Sequence, residues 1–146
     1  MRSKVIRAAF ASATFALFFA GPNLATSAPA AAIPYRNICY NAAFLNYSSL
    51  GRVDLPYNKA EGSYSCTLRQ GDRGDGVVKL QNNLNRCYSA DLAPDGIFGE
   101  KTRSALITAQ RAAGTAADGI YGPNTKDAFE WSFLKDDGQR HCRKLP

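Results

Sequence analysis

Histidine is almost missing from this chain: His141 is the only one in 146 residues. A zinc centre built from several imidazoles is therefore excluded by count within this polypeptide. The four cysteines, Cys39, Cys66, Cys87 and Cys142, contain no C-x-x-C pair. Cys142 adjoins His141, and side chains of sequence neighbours diverge, so a catalytic Cys–His pair is not supported either. G-x-S-x-G and phosphate-cradling Gly-rich loops are also absent. No metal and no cofactor is expected.

Long apolar runs are equally scarce. Ala8 to Ala20 is the longest, thirteen apolar and small residues, where a membrane-spanning helix needs about 20. Arg2, Lys4 and Arg7 precede this run, Gly21-Pro22 breaks it, and Ala28-Pro29-Ala30 follows with small side chains. That order reads as a secretory signal over residues 1–30, cleaved after Ala30 or Ala32. The expectation is a secreted, extracellular protein with no membrane segment after cleavage. Losing three basic and no acidic residues lowers the net charge from +6 to +3. So small an excess suits an anionic cell surface and falls short of a nucleic-acid footprint. In an exported chain this small, four cysteines point to two disulfides. Three connectivities are open, with Cys39–Cys66 and Cys87–Cys142 preferred.

What the chain does have is a phrase used twice. Asp95-Gly96-Ile97-Phe98-Gly99-Glu100-Lys101-Thr102-Arg103-Ser104-Ala105-Leu106 returns 23 positions later as Asp118-Gly119-Ile120-Tyr121-Gly122-Pro123-Asn124-Thr125-Lys126-Asp127-Ala128-Phe129. Asp-Gly is a tight-turn dipeptide, since Asp bonds its own backbone and Gly accepts positive φ. The second Gly swings the chain into a helix, and Pro123 suits a first helical position. Thr102 and Thr125 fall in the first turn, where a hydroxyl can serve a free backbone group. Each copy is thus a turn leading into a helix.

Before the repeat, residues 31–66 scatter five tyrosines among Asn, Ser, Gly and Pro without sustained periodicity. They read as an irregular leader, packed on the domain and tied by Cys39. A polar loop follows and ends at Asp75, which is expected to cap a helix over Gly76 to Cys87. That helix carries Val77, Leu80, Gln81, Leu84 and Tyr88 on one face. A second helix is expected over Glu100 to Ala113, stopped by Gly114, and a third with Ala128, Phe129 and Phe133 inward. Residues 135–146 read as a polar tail pinned by Cys142. The fold class expected is all-α: a small three-helix bundle over residues 67–134, with an internal turn-helix repeat, an irregular leader and two disulfides. The chain is expected to be a monomer.

Leu68-x-x-Gly71-x-x-Gly74-x-x-Val77, Leu80-Gln81, the two Asp-Gly phrases and Gln110 together resemble the three-helix, type 1 peptidoglycan-binding domain found beside bacterial wall hydrolases. The resemblance covers about Leu68 to Leu134, and the disulfide-framed version looks like secreted proteins of actinomycete type. Glu100 stands where Pro is usual, and Ala109-Gln110 where an aromatic-Gln pair is usual. The resemblance implies a non-catalytic, wall-associated protein whose partner is peptidoglycan, through its glycan or its stem peptide. A secreted inhibitor or signalling protein reusing the scaffold to bind a protein is the alternative. Peptidoglycan offers hydroxyls, N-acetyl groups and carboxylates, so amides, aromatic faces and cations are the relevant side chains. The candidates are Gln81, Asn85, Tyr88, Phe98, Arg103, Gln110, Tyr121 and Lys126. Asp95 and Asp118 are a symmetric carboxylate pair, but both sit in Asp-Gly turns, where they serve backbone donors. No catalytic residue is expected.

Overall fold

The computed structural model describes residues 36–146; the expected signal peptide, 1–30, lies outside the described residues. Seven elements follow in order: β1 (Asn41–Tyr47), β2 (Gly51–Tyr57), α1 (Asp75–Tyr88), α2 (Glu100–Ala113), α3 (Pro123–Ala128), β3 (Glu130–Leu134) and β4 (Arg140–Lys144). The four strands form one antiparallel sheet in the order β1-β2-β3-β4. The all-α expectation is therefore corrected: this is a helix-and-sheet fold, not a three-helix bundle.

The physical reasons for the correction lie at both ends of the chain. The leader is a β-hairpin, paired from Asn41↔Tyr57 to Tyr47↔Gly51. Its β2 strand buries Val53 and Leu55, two residues apart, on the core face. Gly51 adopts a φ of 93°, and a Cβ there would lie 2.3 Å from the Leu134 carbonyl oxygen, so β2 meets β3 only because this residue is glycine. That junction is short, covering Arg52↔Leu134 and Val53↔Phe133. Pro56 lies beyond it, where its missing N–H breaks no ladder to β3.

The third helix ends at Ala128, and the chain continues as a strand. Phe129 and Phe133 are four apart, a spacing that fits a helical face but also period two. Trp131 between them settles the matter: all three are fully buried, the alternation of a strand. Trp131 is thus core, with its indole Nε1–H donated to the Lys126 carbonyl at 2.9 Å. The tail is β4, paired with β3 from Glu130↔Lys144 to Leu134↔Arg140.

Helix α1 forms as expected, with Val77, Leu80 and Leu84 inward. Its cap differs: Gly74 occupies the N-cap at φ 126°, and Asp75 is the first helical residue, without a side-chain capping bond. Asn83 docks α1 on β3, donating to the Glu130 carbonyl at 3.0 Å and accepting from the Ser132 N–H at 2.9 Å. Helix α2 ends in a left-handed Gly114. One core runs through both layers, with Leu55 and Phe133 from the sheet meeting Leu80, Leu106 and Tyr121 from the helical side.

The disulfides are Cys39–Cys66 and Cys87–Cys142. The first closes the segments flanking the hairpin, and the second ties the end of α1 to β4. By loop-closure reasoning each contributes about 2–4 kcal/mol, useful in a domain of this size. Among the described residues no helix is long and apolar enough to cross a membrane.

Candidate functional site

The two Asp-Gly phrases fold into elbows with the same hydrogen bonds. In the first, Gln81 reaches from α1 and shares its Nε2 hydrogens among Asp95 Oδ1 (2.9 Å), the Ile97 carbonyl (3.1 Å) and Thr102 Oγ1 (3.1 Å). Its Oε1 accepts the Gly96 N–H at 3.0 Å. In the second, Gln110 reaches from α2 to Asp118 Oδ1 (3.0 Å), the Ile120 carbonyl (2.9 Å) and Thr125 Oγ1 (3.1 Å). Its Oε1 accepts the Gly119 N–H at 2.9 Å. Gly96 and Gly119 share a φ of 73°, a conformation that turns the chain so that each amide can be reached.

Each Asp also takes the N–H two residues on, from Ile97 at 2.9 Å and Ile120 at 2.8 Å. The bond from Gln81, then the one from Ile97, holds the Asp95 carboxyl below the ordinary carboxylate value. These carboxylates are committed to their own loops. A strap from Leu68 to Asp72 crosses both elbows. It pairs Leu68 with Tyr121 through two backbone bonds (2.9 and 2.8 Å), and Phe98 with Gly71 and Asp72 through two more, both 2.9 Å.

Four of the eight candidates are therefore buried in this frame: Gln81, Gln110, Phe98 and Tyr121. The glutamine amides find their partners inside the fold, as buried amides must. Phe98 and Tyr121 plug the core in equivalent places. Burial pushes the Tyr121 hydroxyl far above its usual value, and that hydroxyl has no hydrogen-bond partner among the described residues. Asn85 is half-buried and clasps the linker after α1, donating to the Leu92 carbonyl at 2.8 Å and accepting its N–H at 3.0 Å. Arg103 is exposed and leans on the second elbow, 3.5 Å from the Asp118 carbonyl. Lys126 pairs with Asp127 at 2.8 Å.

Tyr88 alone among the eight lines an open groove. It sits at the end of α1, its ring against Phe129 with centroids 4.7 Å apart and its hydroxyl accepting the Glu130 N–H at 2.8 Å. Burial raises its pKa. The groove is about 610 Å³ and runs between the linker after α1 and the first turns of α2. Leu92 and Ala105 give it an apolar floor, Ser104 and Thr108 offer hydroxyls, and Lys101 stands on the rim with two carboxylates, Asp91 and Glu100. Sequence reasoning missed Lys101, Ser104 and Thr108. Their only signal is that Lys101, Ser104 and Thr108 recur at three- and four-residue spacing on the outer side of α2. A smaller hollow of about 170 Å³ lies at the corresponding place on the second elbow, lined by Thr115, Pro123 and Asn124. Among the described residues no group of three or more His, Cys, Asp or Glu is arranged to hold a metal ion.

Residues 73–129 match the family model described as "Putative peptidoglycan binding domain". Solved structures with similarity include the endolysin of Burkholderia AP3 phage, 47% identical over 40% of this chain and 22% of that one, with a TM-score of 0.39. The SleB N-terminal domain is 32% identical over 42% of this chain and 85% of that one, TM-score 0.41. A peptidoglycan-binding protein from Clostridioides difficile, solved in complex with glutamine hydroxamate, is 24% identical over 59% of this chain and 54% of that one, TM-score 0.45. The chain thus spans about a fifth of the endolysin's length. All four strands lie outside the matched residues.

Proposed function

Residues 73–129 of this chain belong to the peptidoglycan-binding domain family, and from that premise we propose that the protein is an exported, non-catalytic protein that adheres to the bacterial wall through the groove beside α2. The observation that carries the reading is the groove itself. It places a half-buried tyrosine, an apolar floor, two hydroxyls and a lysine within one open channel of the matched domain. An N-acetyl methyl suits the floor, sugar or peptide amides suit Ser104 and Thr108, and a stem-peptide carboxylate suits Lys101. The channel is open and shallow, so each site binds weakly, and retention comes from the density of sites on a repeating polymer.

The non-catalytic part is supported by the match to a binding-domain family. Asp95 and Asp118 each commit Oδ1 to their own loops, and the carboxylates on the groove rim, Asp91 and Glu100, are what an assay for released fragments tests. Export and an extracellular, wall-associated location rest on the expected leader and on two formed disulfides. The chain acts as a monomer in this reading.

Sedimentation with purified sacculi tests it. The full chain, oxidised, is expected to pellet with sacculi at moderate salt and to release no soluble fragments. Lys101→Glu should weaken retention about tenfold, the worth of one charge-assisted contact. Protein left in the supernatant contradicts wall binding and favours a protein partner. Solubilised wall contradicts the non-catalytic assignment.

A further inference from the structure

A second pocket, about 120 Å³, lies where α1 meets the sheet, lined by Asp54 of β2, Lys79, Asn82 and Arg86 of α1, Ser132 of β3 and Arg140 of β4. Its charges are not balanced. Asp54 is already engaged by Arg52 at 3.0 Å and Lys79 at 3.4 Å. Arg86 and Arg140 make no salt bridge among the described residues. Both line the same pocket, where burial, and then the charge of Arg140, push the Arg86 pKa down against the pull of Asp54. The Cys87–Cys142 disulfide, one residue from Arg86 and two from Arg140, fastens their two elements together and holds these like charges in place. Ser132 is 8% exposed, and its Oγ has no hydrogen-bond partner among the described residues. Two unpaired guanidiniums beside an unspent hydroxyl make a receptor for an oxyanion.

What adjoins the pocket selects the anion, since the two guanidiniums alone would accept a carboxylate or a phosphate. The pocket is also the closed end of something longer. Asp54 and Lys79 line an adjoining groove of about 390 Å³, floored by Ala42, Phe44 and Val78, where Phe44 is half exposed beneath the Arg52 guanidinium, 4.4 Å away. An anionic end followed by small or apolar groups is what this shape admits. We propose that the pocket between Arg86 and Arg140 takes the C-terminal carboxylate of a short peptide, with the preceding residues in the Ala42–Phe44 groove. The site lies between α1 and the sheet, with Asp54, Ser132 and Arg140 outside the matched residues and Lys79 and Arg86 within them, and shares no lining residue with the groove beside α2.

Chemical-shift titration of the full, oxidised chain tests this with acetyl-alanyl-alanine, its D,D isomer, its C-terminal amide and inorganic phosphate as probes. The free acid should move the amides of Arg86, Ser132 and Arg140, and the neutral amide should bind at least about tenfold more weakly, the loss of one charge-assisted contact. Preference for the D,D or the L,L acid tells wall stem peptides from protein C-termini. Arg140→Gln changes an exposed strand residue and should weaken the acid about tenfold at the Arg86 and Ser132 amides, while Arg111→Gln, exposed at the end of α2 and lining neither groove, should leave it unchanged. Equal binding of acid and amide, tighter binding of phosphate, or an indifferent Arg140→Gln variant overturns the proposal. If Arg86→Gln fails to fold, Arg140→Gln still decides.

Discussion

The residues of the family match and the sheet built from either side of them are held in different ways. Within 73–129, local phrases close on themselves: a glutamine from one helix locks the elbow that opens the next, 14 residues on for Gln81–Asp95 and 8 for Gln110–Asp118. The sheet has no such local logic. β2 and β3 are joined by two residue pairs and are almost eighty positions apart in sequence, so their pairing depends on a common core and on glycine at position 51. Self-contained hydrogen bonding makes the first region a portable module, and long-range burial makes the second an addition fitted to it.

The largest test of that contrast is Trp131→Ala. Trp131 belongs to the sheet but packs edge-on against Tyr121 of the second elbow, with centroids 6.1 Å apart. Removing it should cost about 4 kcal/mol and lower one shared transition, seen alike by helical circular dichroism and tyrosine fluorescence. Two separate transitions would show that the regions unfold independently. Next in size is the pair Gln81→Leu and Gln110→Leu in urea unfolding. Each orphans a buried glycine N–H and strips the elbow carbonyl and aspartate of their amide donor, at about 3 kcal/mol, and the two losses should agree. A large inequality would break the equivalence of the elbows.

The smallest effect is on pH. The folded Asp95 carboxyl is held low by Gln81 and the Ile97 N–H, so its contribution is fully present above the unfolded value of about 3.9. It fades as pH falls through the lower folded value. Asp95→Asn should therefore flatten the fall in unfolding free energy below pH 4, and Gln81→Leu should shrink the same slope. An unchanged slope in both would contradict the bond.

The elbows and α2 were legible because turn chemistry and helical spacing agree there: Asp-Gly, then Thr102, Leu106 and Gly114. The equivalence of Gln81 and Gln110 was hidden because the loops between glutamine and elbow differ in length, so the amides fall out of the 23-residue period. The sheet was illegible for another reason. Asn41–Tyr47 and Arg140–Lys144 lack clean alternation, being exposed or half-buried along both faces, and Phe129 and Phe133 fit two periodicities at once. Of the candidate site, Tyr88 alone pointed to the groove. Lys101 and Ser104 sit inside the repeated phrase, where turn chemistry and helical spacing carry no sign that they border a groove.

In this reading the repeated motif is architecture, and the groove beside α2 meets the ligand. Titrating the full, oxidised chain with a soluble muropeptide and following assigned amides tests it most directly. Lys101, Ser104 and Thr108 should move with weak affinity, while the side-chain amides of Gln81 and Gln110 stay fixed. Shifts centred on those two glutamines, or nanomolar affinity, would contradict it.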